Sequence, residues 1–377
     1  MSFKEQALGE LAAKKNTIQK KNAIVGFDGF VDTIVTPVAL RTSQGDDFTP
    51  IATITEFGKR VLAAAGKSTN IELYPRMEKL GGNGPIMANA LIASGAQVTY
   101  VGAIGAGDVH PVFRDMASRA ARAVSLCAPA ATTAVEFEDG KLMLGQMRSL
   151  DEITYAKIVE KLGDETALKK MLGDADLVSL INWTMVPNMT VVLRDIEKHI
   201  LPTLPKRAAA EPKRLYFFDL CDPEKRSAAD LKDALAVMAS YEKFGQVTLG
   251  LNFKEAQQVH AVLGLGVSES EEEAGLRAMA SAIRKKLSVS TVVIHPRKSA
   301  ACATADGEFW VAGPFCEKPL ITTGAGDHFN AGFTTGQLLG LTPQSCLTLG
   351  VCTSGHYVRS AHSPSLADLE TFLARWH

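Results

Sequence analysis

Neither sign of charge is in surplus in this sequence: 40 Lys and Arg stand against 41 Asp and Glu, a net charge of −1. A nucleic-acid binder needs a basic surplus to offset phosphate charge, so that function class is excluded. Cysteine is scarce, at six residues (127, 221, 302, 316, 346 and 352), with no CxxC or metal-ligand spacing. These read as buried thiols of a reducing cytoplasm rather than a disulfide set. The first 21 residues lack the apolar core of a signal peptide, and a cytoplasmic location is expected. A P-loop is missing: Gly66-Lys67-Ser68 resembles its end, but Val61 stands where its first glycine belongs. No GxGxxG follows a strand-like run, which disfavours a nicotinamide-binding fold.

Two stretches lack charge almost entirely. Residues 80–107 carry no Asp, Glu, Lys or Arg, and residues 319–358 carry one, Asp327. Each is long enough to span a bilayer. The first, however, holds seven glycines together with Asn83, Pro85 and Asn89. The second is broken by Gly324, Gly326, Gly340 and Pro343. Such breakers leave backbone groups that lipid cannot satisfy. The stretches are expected to be buried parts of a soluble fold with no membrane role.

Apolar runs rich in Val, Ile, Phe and Tyr at 23–26, 97–101, 177–181, 215–220, 246–250 and 291–294 predict buried strands. Helix-period segments lie between them, at 86–94, 111–122, 191–199, 227–238, 255–262 and 271–286. Alternation of this kind predicts an α/β fold with a mostly parallel central sheet covered on both faces. The segment 268–289 begins Ser-Glu-Ser-Glu-Glu-Glu and ends in basic residues, which suits a helix dipole. Two regions break the alternation. Residues 132–147 alternate at period two around Asp139-Gly140, a hairpin signal. Residues 33–80 hold turns, a short helix and a strand-like Ile-Glu-Leu-Tyr-Pro. Together they predict a small antiparallel sheet set apart from the main body. No linker or repeat divides the chain, so residues 1–377 are expected to form one domain.

The strongest chemical signal is Thr322-Thr323-Gly324-Ala325-Gly326-Asp327 running into an apolar helix. Glycines there let backbone N–H groups approach an anion, and the helix start adds positive dipole. Asp327 is either a helix cap or a reacting acid. Its isolation among uncharged residues favours the second, because a lone buried acid is costly. A second Gly-Ala-Gly-Asp, at 105–108, lacks the small-residue helix that follows, so Asp108 reads as structural. Asn252-Phe253-Lys254-Glu255 is a capping box or a ligand-binding turn after a strand.

These residues resemble the ribokinase-like (PfkB) carbohydrate kinases. The stretch 322–333 is similar to the C-terminal signature of that family. Gly81-Gly82-Asn83-Gly84-Pro85 is similar to the N-terminal one. Residues 26–32 (Gly-Phe-Asp-Gly-Phe-Val-Asp), 101–108, Asp222-Pro223 with Arg226, and Asn252 with Glu255 follow in the family's order. The resemblance spans about residues 23–365. It implies a three-layer fold with a β-sheet lid, here about 33–80 and 130–147. It also implies phosphate transfer from a nucleotide, ATP, to a hydroxyl of a sugar or sugar-like substrate. Asp327 takes the role of general base, with Gly324, Ala325 and Gly326 as the anion hole. Asp28, Asp32, Gly82 and Asn83 are expected at the substrate, Asp32 more than Asp28. Asn252 and Glu255 are expected at the nucleotide, orienting Mg2+ through water, and Asn182 at the nucleotide or the substrate. An exposed lid sheet pairs readily with another, which points to a homodimer through it.

Three places depart from the family pattern. Ile321 replaces an acid of the C-terminal signature, which leaves a monovalent cation in doubt. Ile86 replaces an asparagine near the start of the first glycine-rich helix. After the run 291–294 the chain reads His295-Pro296-Arg297-Lys298-Ser299-Ala300 where the family has a glycine-rich nucleotide loop. A nucleoside kinase, or a catalytically weak ligand-binding or regulatory protein on the same fold, therefore stands beside the sugar-kinase expectation.

Overall fold

The run Leu-Tyr-Phe-Phe-Asp at Leu215–Asp219 shows how the sheet is made: all five residues are buried. Neighbouring side chains of a strand leave opposite faces. Leu215 and Phe217 accordingly enter one apolar core, and Tyr216 and Phe218 the other. A strand with both faces apolar must lie between two helical layers. The computed structural model describes residues 2–266 and 270–376. In chain order its strands are β1 (Asn22–Phe27), β2 (Phe30–Arg41), β3 (Phe48–Pro50), β4 (Leu73–Gly81), β5 (Gln97–Gly102), β6 (Arg122–Ser125) and β7 (Ala130–Phe137). They continue as β8 (Gly140–Gln146), β9 (Leu177–Leu180), β10 (Leu215–Asp219), β11 (Gln246–Leu251), β12 (Thr291–Ile294), β13 (Ser299–Thr304) and β14 (Gly307–Ala312).

The main sheet has nine strands in the order β14-β13-β12-β11-β10-β9-β1-β5-β6. From β12 to β6 all pairings are parallel, and β13 and β14 add an antiparallel edge. The expected mostly parallel α/β sheet is present. The smaller sheet has five strands, β3-β2-β7-β8 with β4 also on β2. The hairpin β7–β8 turns at Asp139-Gly140, where Gly140 has φ +155°. The smaller sheet is mixed rather than antiparallel, because β2 and β7 run parallel. Their chain connection passes through β5 and β6 of the main sheet, a long-range arrangement that local alternation does not encode.

Two predicted helices change. The helix expected over 111–122 is a short turn and the helix Arg114–Arg119, and Arg122 already starts β6. The charged helix is Glu273–Leu287, with Arg284, Lys285 and Lys286 in its last turn. Ser268 and Glu269, at the start of that expectation, lie outside the described residues.

Both uncharged stretches are mostly interior, with exposed residues including Ala106-Gly107, Leu320, Thr322, Gly340 and Thr342. The first supplies the helix Asn83–Ser94 and β5. The second supplies the helices Ala325–Leu338 and Pro343–Ser360, packed against each other through close-contact glycines. Among the described residues no helix is long and apolar enough to cross a membrane. The six cysteines are all free, four of them buried.

Candidate active site

In an open parallel sheet, polar groups gather beyond the carboxyl ends of the strands, where the chain leaves the apolar layers. Asp28 follows β1, Asn182 follows β9, Asp219 ends β10, Asn252 follows β11 and His295 follows β12. The helices Asn83–Ser94 and Ala325–Leu338 begin at the same end.

Asp327 lies in the first turn of the second helix, after Gly324 in the left-handed region at φ +90°. A Cβ on Gly324 would come within 3.2 Å of Ile86, so this turn needs glycine on both counts. The turn is held from behind. His328 Nδ1 is 2.7 Å from the Gly324 carbonyl, and its Nε2 is 2.8 Å from Ser363 Oγ. The His328 ring stacks on Tyr357 at 3.6 Å, and the Tyr357 hydroxyl donates to the Thr323 carbonyl at 3.0 Å. Ile86, a departure from the family pattern, is thus part of the packing under the turn.

Asp327 is 7% exposed, and its Oδ1 has no hydrogen-bond partner among the described residues. Burial pushes its carboxyl well above the usual range, the charge of Asp28 adds to this, and the Asn83 side chain opposes it. Burial thus works against the charged form of Asp327. A raised value also makes the carboxylate a stronger base once it is charged.

Two cavities meet at this residue. The larger, of about 480 Å³, is bordered by Asn252, Glu255, His295, Arg297 and Gly326. The smaller, of about 300 Å³, is bordered by Asp32, Gly82, Asn182, Thr323 and Gly324, with Thr132, Met143 and Met147 from the smaller sheet. Asn83, Cys221, Asp222 and Asp327 border both.

Most of the expected residues therefore converge. Asp32 is buried beside Thr132, Lys79 and Lys141, and burial raises its carboxyl. Asn182 sits at φ +60° and borders the smaller cavity. Its Nδ2 donates to Asp28 at 2.5 Å. Asp28 is fully buried and borders neither cavity. Its oxygens accept the Asn83 and Gly84 backbone N–H groups at 2.9 and 2.8 Å, closing the start of the Asn83–Ser94 helix. Burial holds its carboxyl up at about 6.

Asn252 and Glu255 form a capping box: Asn252 Oδ1 accepts from Glu255 N at 3.0 Å, and Glu255 Oε2 accepts from Asn252 N at 2.9 Å. Glu255 Oε1 also accepts from Asp222 N at 3.1 Å. The cap and the cavity wall coexist, since both residues border the larger cavity. Arg226 turns away from both cavities. It donates to the carbonyls of Trp183, Thr184, Val186 and Pro187 and lies over the Trp183 ring. Asp108 is exposed on its loop and borders neither cavity.

Sequence reasoning missed Asp219. It is buried, borders the larger cavity and accepts from Asn330 Nδ2 at 3.0 Å, while its Oδ1 has no hydrogen-bond partner among the described residues. Burial, then the charges of Glu255 and Asp327, push its carboxyl well up. Its signal was a charged residue ending an otherwise apolar run, overshadowed by Asp222-Pro223 three residues on.

Fold and site define a carbohydrate kinase of the ribokinase family. The structure of a carbohydrate kinase from Agrobacterium tumefaciens superposes with TM-score 0.62 at 18% identity, covering 94% of this chain and 97% of that one. Ribokinase from Thermotoga maritima gives 0.62 at 15% identity, covering 94% and 99%. The chain belongs to the prokaryotic ketohexokinase family, whose model matches residues 8–376. A ketohexokinase of Haloferax volcanii is 26% identical over 351 residues, 93% of this chain and 90% of the relative.

Proposed function

We propose that this chain transfers the terminal phosphate of ATP to a hydroxyl of a ketohexose, with Asp327 as the general base. The observation that carries this reading is the position of Asp327 on the wall common to both cavities. The acceptor sugar occupies the smaller cavity. Asp32 and Asn83 hold its hydroxyls there, Gly82 brings backbone close, and Asn182 faces it. Asp28 keeps the Asn83–Ser94 helix start in place. The nucleotide occupies the larger cavity, with its terminal phosphate at the amides of Gly324, Ala325 and Gly326. Asp327 takes the proton of the attacking hydroxyl, whose oxygen bonds phosphorus as the bond to the leaving diphosphate breaks. The family likeness to a ketohexokinase supplies the substrate class.

The donor set fits Mg2+. Several buried carboxyls repel one another here, and Asp219 Oδ1 lacks a hydrogen-bond partner among the described residues. Both Glu255 oxygens are already engaged by backbone N–H groups, so Glu255 and Asn252 would hold the ion through water. When bound, Mg2+ neutralises charge on the nucleotide phosphates.

The smaller sheet, about 33–80 and 130–147, acts as the lid of a one-domain enzyme and excludes water from the transfer. Leu40, Leu73, Met77 and Leu144 lie exposed on it, and a second copy of the chain covers them in a homodimer. Free cysteines suit a cytoplasmic enzyme.

The deciding experiment is ADP release over ketohexoses, aldohexoses, pentoses and nucleosides, for wild type and Asp327→Asn. We expect turnover on a ketohexose, falling about 10³-fold in the variant, with nucleotide still bound. Turnover within tenfold of wild type would remove Asp327 as base. Nucleotide binding without turnover on any acceptor would favour a ligand-binding protein.

A further inference from the structure

We propose that the chain corner His295-Pro296-Arg297 holds the phosphate chain of the nucleotide with side chains, Arg297 and His295 Nε2 each taking a phosphate oxygen. The inference rests on the kinase reading above and adds a phosphate-binding role for two residues outside the glycine turn.

Residues 295–300 contain no glycine, so side chains flank the backbone throughout this corner and hinder the close approach that glycine allows. The nearby Gly313 amide is already used, donating to the Lys298 carbonyl at 2.7 Å. Side-chain donors stand at this corner instead. The corner is tied to the site: His295 N donates to the Leu251 carbonyl at 2.9 Å, next to Asn252. The His295 ring stacks on Phe329 at 4.6 Å with 29° between planes. Phe329 follows Asp327 by two residues on the same helix. The ring also abuts the proposed anion hole, since a Cβ on Gly326 would lie 3.4 Å from His295 Cε1.

His295 is thus clamped between the turn and the helix that carry the base. Its Nε2 nevertheless has no hydrogen-bond partner among the described residues. A buried nitrogen left unpaired costs free energy, which a ligand oxygen would recover. Burial lowers the imidazole to about 4, so the free ring is neutral.

Arg297 is exposed at the larger cavity, and no hydrogen bond or ion pair to it is present among the described residues. Its neighbour Lys298 is differently engaged, with Nζ 5.1 Å from the Phe315 ring centre. A guanidinium facing a cavity that ends at a glycine turn matches phosphate geometry with paired donors.

The test measures ADP and adenosine affinities by calorimetry for wild type, Arg297→Ala, Arg297→Lys and His295→Ala. The two ligands share the base and ribose and differ in phosphate. Arg297→Ala should weaken ADP about tenfold or more while adenosine stays within twofold. Arg297→Lys should restore part of the loss, and His295→Ala should weaken ADP selectively as well. An unchanged ADP-to-adenosine ratio in both alanine variants overturns the proposal while leaving the kinase reading intact. Equal loss of both ligands makes the corner purely structural and also overturns it. A wild type that binds neither ligand defeats the kinase reading itself.

Discussion

Four acids near the site differ in what surrounds them, and surroundings decide their chemistry. Asp327 was legible in the sequence because it is the one charge in forty residues. Asp28 and Asp32 were legible as candidates, but not their division of labour. Only the fold shows Asp28 spent on the amides of Asn83 and Gly84. Asp219 was not legible as a site residue, since its partners Asn330 and Glu255 lie 111 and 36 positions away in sequence.

A pH dependence follows at this scale. The Asp28 carboxyl titrates at about 6 in the folded chain because it is buried, against about 4 when unfolded. Between those values the folded state holds a proton that the unfolded state has lost. This contribution to stability is therefore fully present below about pH 4 and is lost as the pH rises through about 6. Asp28→Asn should lower the melting temperature overall and flatten that part of its pH profile. An unchanged slope between pH 4 and 6 would show that Asp28 does not hold the proton.

At the scale of elements, the site depends on how closely two helices approach. Gly332 in Ala325–Leu338 leaves room for Pro343–Ser360: a Cβ there would lie 2.3 Å from Thr353 Oγ1 and 2.6 Å from the Leu349 carbonyl. Backbone cannot yield as a side-chain tip can. Gly332→Ala should cost about 1–3 kcal/mol in urea unfolding and lower kcat, because Asp327 rides on the same helix. Gly9, whose Cβ would meet nothing within 4 Å, is the matched control and should be neutral or stabilising as alanine.

The paired strands of the main sheet were readable because each is apolar on both faces. The strands β6, β13 and β14 were not, because short or small-residue segments such as Ser299–Thr304 carry little periodic signal.

At the scale of the molecule, the smaller sheet has two faces with different tasks. Thr132, Met143 and Met147 close the smaller cavity. On the opposite face Leu144, paired with Thr133 of β7, remains 50% exposed. Sedimentation of wild type should give a dimer, and Leu144→Glu should give a monomer that still binds nucleotide. A monomeric wild type at micromolar concentration would reject the pairing.

The sequence alone determined the alternation of strands and helices, the burial of the two uncharged stretches, the β7–β8 hairpin and the standing of Asp327. These are local properties, set by hydrophobic period, turn chemistry and the cost of placing a charge among apolar residues. The tertiary structure alone decided that β2 and β7 pair in parallel, that Asp28 is spent on a helix start, that Asn182 lies on the smaller cavity, and that Asp219 and His295 join the larger. Each of those depends on groups distant in the chain meeting at the carboxyl ends of parallel strands, and the crossovers that bring them there leave no trace in any short window of sequence.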